Sequence, residues 1–129
     1  MRGGKGLEVG NVTRAVAENG CERCIAYGSI RRSRNRARAL RPVLLKIARR
    51  DKDLARQLRR SAASVVLNLA EGTHSDPGNR QARYFTAAGS AKETQSALVI
   101  AEAWGYIADP ELMATADRLV AITYRLSRT

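Results

Sequence analysis

The stretch from Leu54 to Gly72, LARQLRRSAASVVLNLAEG, contains two neighbouring patterns at helical spacing. Apolar residues recur in it every three or four positions, at Leu54, Leu58, Ala62, Val65 and Leu69. This period is typical of the buried face of an α-helix. The stretch therefore predicts a core helix that is capped at its start by Asp51 or Asp53 and ends at Gly72.

A polar stripe runs beside that apolar face, and it does not fit a plain helical core. Its members are Gln57, Ser61, Ser64, Asn68 and Glu71. Further along the chain, Ser90 and Glu93 lie one turn apart on another predicted helix. Residues at these spacings meet on one face, and buried polar groups must satisfy one another's hydrogen bonds. We expect a structural polar network made of Ser61, Ser64, Asn68, Glu71, Ser90 and Glu93.

Residues typical of helix starts, together with apolar residues at helical spacing, predict three more helices around this one. Pro42 stands at the start of the first, in which Val43, Leu44, Ile47 and Ala48 fall at helical spacing. Residues 73–78 read as a loop, and Asp76-Pro77 begins a long helix that runs to about Gly105. Asp109-Pro110 repeats that start signal for the last helix. Since strand alternation persists nowhere and the loops are short, we predict an all-α, antiparallel up-and-down four-helix bundle.

The inward faces of the last two helices are read from the same period. In the long helix the inward candidates are Tyr84, Ala88, Ala91, Leu98 and Ala101. In the last helix they are Leu112, Ala116, Leu119, Val120, Thr123 and Leu126. The many alanines of the long helix allow a neighbouring helix to approach closely.

The N-terminal part of the chain has a weaker pattern. Residues 1–10 contain four glycines and few apolar residues, so we expect a disordered tail there. Gly20 and Gly28 interrupt any helical period in residues 11–38. The predicted organisation is a basic, poorly ordered or weakly helical segment over residues 1–36 and a bundle domain over residues 37–129.

The formal net charge of +11 is concentrated in one segment. Between Arg31 and Arg60 there are thirteen cations, opposed only by Asp51 and Asp53, and the rest of the chain is balanced. The cations are Arg31, Arg32, Arg34, Arg36, Arg38, Arg41, Lys46, Arg49, Arg50, Lys52, Arg56, Arg59 and Arg60. Such a segment attracts polyanions by counterion release, and arginine binds phosphate with two parallel hydrogen bonds. We expect these residues to bind nucleic acid; the alternative is a solvated face that only maintains solubility.

The segment contains no aromatic residue on which a base could stack, which disfavours sequence-specific recognition of single strands. The expected partner is therefore nucleic acid bound through its phosphates. A second hypothesis is an oligomeric scaffold whose basic surface docks an acidic protein partner.

Residues typical of catalysis or metal binding are few. Cys21 and Cys24 form a lone C-x-x-C pair, and the single His74 does not complete a zinc site with them, so a site shared across subunits is the remaining route to zinc. A nucleophilic serine needs a nearby base, normally histidine, and His74 lies in the predicted loop. We expect a protein with no enzymatic activity, no cofactor, no metal, no membrane span and a cytoplasmic location.

The segment Arg59–Gly72, RRSAASVVLNLAEG, together with Phe85, Ala87–Glu93 and Gly105-Tyr106-Ile107, resembles the bacterial four-helix bundle family, also called the 23S rRNA intervening-sequence protein family. The similarity covers about residues 40–126. The chain departs from the family at residues 11–38, where members usually have an apolar first helix.

The resemblance implies a left-handed up-and-down bundle that assembles into a homo-oligomeric ring, expected to contain five subunits. Members are similar to the accessory variability determinant of diversity-generating retroelements, a basic ring that binds RNA and a reverse transcriptase. For this chain the resemblance implies RNA binding, with RNA favoured over DNA, and a retroelement reverse transcriptase as the type of protein partner in the scaffold alternative.

Overall fold

The computed structural model describes residues 31, 35 and 38–128 of the 129-residue chain. These residues form four helices, α1 (Arg41–Arg50), α2 (Lys52–His74), α3 (Pro77–Ala103) and α4 (Pro110–Ser127). Arg31, Asn35, Arg38 and Ala39 are also helical, and no strand occurs in the part of the chain that is described. The prediction of an all-α four-helix arrangement is confirmed.

Aspartates and prolines determine where the helices begin. The carboxylates of Asp51, Asp76 and Asp109 each accept a hydrogen bond from a backbone amide three residues further on, at 2.9–3.0 Å. Such bonds satisfy amide groups that have no partner in the first turn of a helix. A proline stands at the start of α1, α3 and α4, where a missing N–H has no cost. Of the two cap candidates for α2, the structure selects Asp51.

The end of α2 differs from the sequence prediction. The helix continues past Gly72 to His74, and α3 already begins at Pro77, so the predicted loop over residues 73–78 is too long. In the last turn of α2 the Thr73 hydroxyl donates to the Ala70 carbonyl and the Ser75 hydroxyl to the Glu71 carbonyl, at 2.6 and 2.7 Å. These side-chain bonds give hydrogen-bond partners to carbonyl groups near the end of the helix, without a glycine cap.

Gly72 is needed for packing rather than for ending the helix. It is buried, and a Cβ atom at this position would lie 2.5 Å from Cε1 of Tyr84 on α3. Tyr84 itself is only 2% exposed. The glycine therefore lets the tyrosine ring lie directly against the backbone of α2.

Among the described residues, the glycine in a left-handed conformation lies at the end of α3. Gly105 has a φ of 77°, its amide donates to the Glu102 carbonyl, and the Tyr106 amide donates to the Ala101 carbonyl. This pair of bonds is the Schellman motif, which favours glycine because a side chain is strained at positive φ. The long helix α3 thus ends at Ala103, close to its predicted end at about Gly105.

Two apolar clusters fill the interior of the described bundle, one at each end. The first joins α1 to the beginning of α2, the end of α3 and the beginning of α4, with Ile47, Leu58 and Ala101 fully buried. The second joins the remaining halves of α2, α3 and α4 around Leu69 and Tyr84. With only 10 residues, α1 contributes to the first cluster alone. None of the described helices is both long and apolar enough to span a membrane.

Most of the predicted inward residues are buried, with small shifts. In α3, Ala87 is 0% exposed, whereas the predicted Ala88 is half-buried; in α4, Val120 is likewise half-buried. The predicted disordered tail over residues 1–10 and the Cys21 and Cys24 pair lie outside the described residues.

Candidate nucleic-acid interface and polar groove

A groove between α1 and α2 is lined by cations. Lys52, Arg56 and Arg59 line it at i, i+4 and i+7 on α2, and Arg41 lines it from the start of α1. The i, i+4, i+7 spacing places the three α2 residues on one side of the helix. All four side chains are exposed, so their charges are available to a ligand. We refer to these four residues and the surface between them as the basic groove.

The floor of the basic groove is apolar. It consists of Leu44, Leu45 and Ala48 from α1 and Ala55 from α2, and the cavity volume is about 340 Å³. Leu45 is 60% exposed. Among the described residues, an acid that pairs with a cation of this groove is Asp53, whose carboxylate lies 3.7 Å from the Arg56 guanidinium with both side chains mostly exposed. Pairs of this kind are weak, so Arg56 keeps most of its attraction for other anions.

The remaining predicted cations do not all share this surface. Arg31 and Arg38 are exposed ahead of α1, and Arg49 and Arg50 are exposed in its last turn. Lys46 borders a different cavity, which contains Glu102, Asp109 and Asp117. Arg60 lines a third groove, between α2 and α3. The predicted Arg32, Arg34 and Arg36 lie outside the described residues.

That third groove contains the predicted polar stripe, and we call it the polar groove. Its volume is about 620 Å³, and its walls come from α2 and α3. The Ser64 and Ser90 hydroxyls are 2.7 Å apart, and Thr94 donates to the Ser61 hydroxyl at 2.9 Å. On its own helix, Ser61 donates to the Leu58 carbonyl at 3.1 Å. These bonds connect α2 to α3 through small hydroxyl groups, of which those of Ser61, Ser90 and Thr94 are buried.

The network continues towards the end of α2. The Asn68 amide nitrogen donates to the backbone oxygen of Ser64 at 2.8 Å and to its hydroxyl at 3.1 Å. Arg83 of α3 lies 3.4 Å from Oδ1 of Asn68 and forms a 2.8 Å ion pair with Glu71. Residue numbers rise along α2 as their partners' numbers fall along α3, so these two helices run in opposite directions.

Two members of the network are not predicted by the sequence patterns described above. Thr94 lies one turn after Ser90, and its hydroxyl is 2.9 Å from the Ser90 carbonyl, so the i, i+4 spacing is the signal that could have identified it. Arg83 lies two turns before Ser90 and forms the ion pair with Glu71. Glu93, which was predicted to join the network, lines the groove but forms no hydrogen bond or ion pair among the described residues.

The hydroxyl groups of the groove bond to one another rather than to a general base. His74, the single histidine, is exposed at the last position of α2. No group of three or more His, Cys, Asp or Glu residues suited to a metal ion occurs in the described part of the chain. The observed contacts match a network that connects two helices.

The fold and its two grooves define a basic all-α protein built on four helices, with a cationic surface and a polar contact between α2 and α3. A sequence model of the 23S rRNA-intervening sequence protein family matches residues 25–128. The chain belongs to this family. Neither the comparison with curated proteins nor the comparison with solved structures gave a match.

Proposed function

We propose that this chain is a non-enzymatic nucleic-acid-binding protein whose basic groove contacts phosphates. The observation that supports this function is the convergence of Arg41, Lys52, Arg56 and Arg59, from two helices, on one groove, where the described residues form one ion pair, between Arg56 and Asp53. Each phosphate neutralised by such a cation releases condensed counterions. Structured RNA is the preferred ligand, because the description of the family refers to an intervening sequence of 23S rRNA.

The binding is expected to be independent of base sequence. None of the groove residues is aromatic, so the surface offers no platform for base stacking. Arg31 and Arg38 extend the exposed positive charge ahead of α1. The protein is further proposed to act in the cytoplasm as a homo-oligomeric ring, the assembly that the family resemblance implies. The exposed Phe85, Val99 and Ile100 of α3 support self-association.

The experiment is fluorescence anisotropy of a labelled structured RNA at several salt concentrations. The test variant replaces Lys52, Arg56 and Arg59 with glutamine, and the matched control replaces the exposed Arg118, Arg125 and Arg128 with glutamine. The slope of log affinity against log salt falls by about 0.7–0.9 for each phosphate that the protein no longer neutralises. We expect the slope to fall by about two to three such steps in the test variant and to change little in the control. Absence of wild-type binding at low salt would refute the function.

A second function is favoured by one observation, the apolar floor of the basic groove. Leu44, Leu45 and Ala48 form an apolar surface flanked by cations. Such a surface matches an acidic amphipathic helix of a protein partner, such as a retroelement reverse transcriptase. Leu45→Gln separates the two functions, because phosphate binding does not use the leucine. An unchanged RNA affinity in this variant supports nucleic-acid binding. A partner helix that binds wild type but not the variant, with no RNA binding by either, supports docking.

A further inference from the structure

Two charged side chains of the polar groove have no ion-pair partner among the described residues. Arg60 lies on α2 next to Ser61, and Glu93 lies on α3 next to Thr94. Because the Ser61 and Thr94 hydroxyls bond to each other at 2.9 Å, the two charges stand at the same level on opposite walls. At the other end of the groove, Arg83 and Glu71 neutralise each other. Within the described chain, the groove therefore offers one free cation and one free anion.

The floor of the groove also has a hydrogen-bond donor to spare. Only one hydrogen lies between the Ser64 and Ser90 hydroxyl oxygens, which are 2.7 Å apart. Whichever serine donates it, the other hydroxyl hydrogen has no acceptor among the described residues. Ser90 is only 9% exposed. The spare hydrogen belongs either to buried Ser90 or to half-buried Ser64, so an acceptor from outside the chain can bind it at the floor of the groove.

The walls continue outwards as two ridges, each with the same order of side-chain types. The α2 ridge consists of Arg60, Ala63 and Leu67, and the α3 ridge consists of Glu93, Gly89 and Phe85. All six residues are exposed, with Leu67 at 62% and Phe85 at 54%. Read from the same end of the bundle, each ridge presents a charge, then a small residue, then a large apolar residue. The two ridges are complementary to each other.

The packing of the described residues does not require a glycine at position 89. A Cβ atom at this position would meet nothing within 4 Å. Glycine inside a helix nevertheless costs about 1 kcal/mol relative to alanine. A helix backbone from outside that lies directly against Gly89 accounts for the missing side chain, as Tyr84 does for Gly72.

We propose that the polar groove is a contact surface between two copies of this chain, in which the α2 ridge of one subunit packs on the α3 ridge of the other. Arg60 pairs with Glu93 of the partner subunit, and Leu67 packs on the partner's Phe85. The small residues Ala63 and Gly89 allow the two helices to approach closely. The inference rests on the self-association proposed above and assigns it a surface and a charge pair. Arg59, on the other side of α2, stays in the basic groove.

Charge reversal and charge exchange test the pair. The oligomeric mass of the full chain is measured by size-exclusion chromatography with light scattering for wild type, Arg60→Glu, Glu93→Arg and the double variant. Each single reversal places like charges opposite each other, and we expect the dissociation constant of the oligomer to rise about tenfold or more. The double variant should recover assembly. Arg118→Glu and Glu102→Arg, which change exposed charges outside both the ridges and the basic groove, should assemble as wild type.

Gly89→Gln separates association from folding. The space around Gly89 is open, so the substitution should keep or raise the helix content and Tm of the single chain while it reduces assembly. A monomeric wild type, single reversals that assemble normally, or a double variant that stays dissociated would overturn the proposed surface. RNA affinity is measured on the same samples with a hairpin short enough for one subunit. Hairpin binding by a monomeric protein would leave the nucleic-acid function standing while the contact surface fails.

Discussion

Replacing Gly72 by alanine tests whether the close contact between α2 and α3 is as tight as the structure indicates. The added Cβ would lie 2.5 Å from Cε1 and 2.9 Å from Cδ1 of Tyr84, whereas carbon atoms in favourable contact are about 3.5–4.0 Å apart. The ring must therefore move by about 1 Å. Tyr84 is 2% exposed and packs in the second apolar cluster, so a shift of its ring disturbs several neighbours.

The substitution has a destabilising effect from overpacking and a smaller stabilising effect from helix propensity. Overpacking of a core costs about 1–3 kcal/mol, while alanine gains up to about 1 kcal/mol over glycine in a helix. We expect Gly72→Ala to lower the free energy of unfolding by about 1–2 kcal/mol, and the Tm by roughly 5–10 °C. Urea and thermal unfolding followed by circular dichroism, at one fixed protein concentration, measure both quantities.

Gly78→Ala is the matched control. Gly78 is exposed near the start of α3, and a Cβ atom there would meet nothing within 4 Å. Alanine at such a site keeps stability constant or raises it by up to about 1 kcal/mol. The reasoning would be refuted if Gly72→Ala were as stable as wild type or more so, because the tyrosine would then not be confined against the backbone.

Three further experiments test local contacts by urea or thermal unfolding. Asp51→Ala removes the cap bond to the Leu54 amide and should cost about 1 kcal/mol, whereas the exposed Asp53→Ala should stay within about 0.5 kcal/mol of wild type; equal effects would contradict the cap assignment. Gly105→Ala places a side chain at a φ of 77° and should cost about 1–2 kcal/mol, and an unchanged Tm would argue against the Schellman motif. A double-mutant cycle on Ser64→Ala and Ser90→Ala should give a coupling energy of about 0.5–1.5 kcal/mol, and additive effects would mean that their 2.7 Å contact contributes nothing.

Local sequence signals are sufficient for most of the fold. The aspartate and proline start signals act within one turn, which is why Asp76-Pro77 and Asp109-Pro110 predict the helix starts correctly. The prediction that Gly72 ends α2 is wrong. Glycine is favoured both at the left-handed position after a helix and where a neighbouring side chain packs directly against the helix backbone, and the sequence pattern is the same in both cases. Only the position of Tyr84, twelve residues further along the chain, distinguishes them, and that position is set by the packing of α3 on α2.

The two grooves are predictable to different degrees. The α2 stripe of the polar groove follows from helical spacing alone, but its partner Arg83 depends on the alignment of α2 with α3, which one sequence does not give. The cations that are dense in the sequence belong to different surfaces of the structure. Lys46 and Arg41 lie on the same short helix, yet Lys46 borders a cavity with three acids and Arg41 borders the basic groove. The number of charges along the chain does not distinguish these surfaces, because residues of one helix point in different directions around its axis.

Helix α2 gives the two proposals a common physical basis. Consecutive residues of an α-helix point about 100° apart, so Arg59 faces the basic groove while Arg60 faces the polar groove. Subunits that associate through the polar groove would thus keep their basic grooves open and hold several of them at fixed separations. A long RNA that contacts two such grooves gains an effective local concentration, whereas a short hairpin does not. Loss of assembly in Glu93→Arg should therefore weaken the binding of long RNA more than that of the hairpin, although this variant adds positive charge.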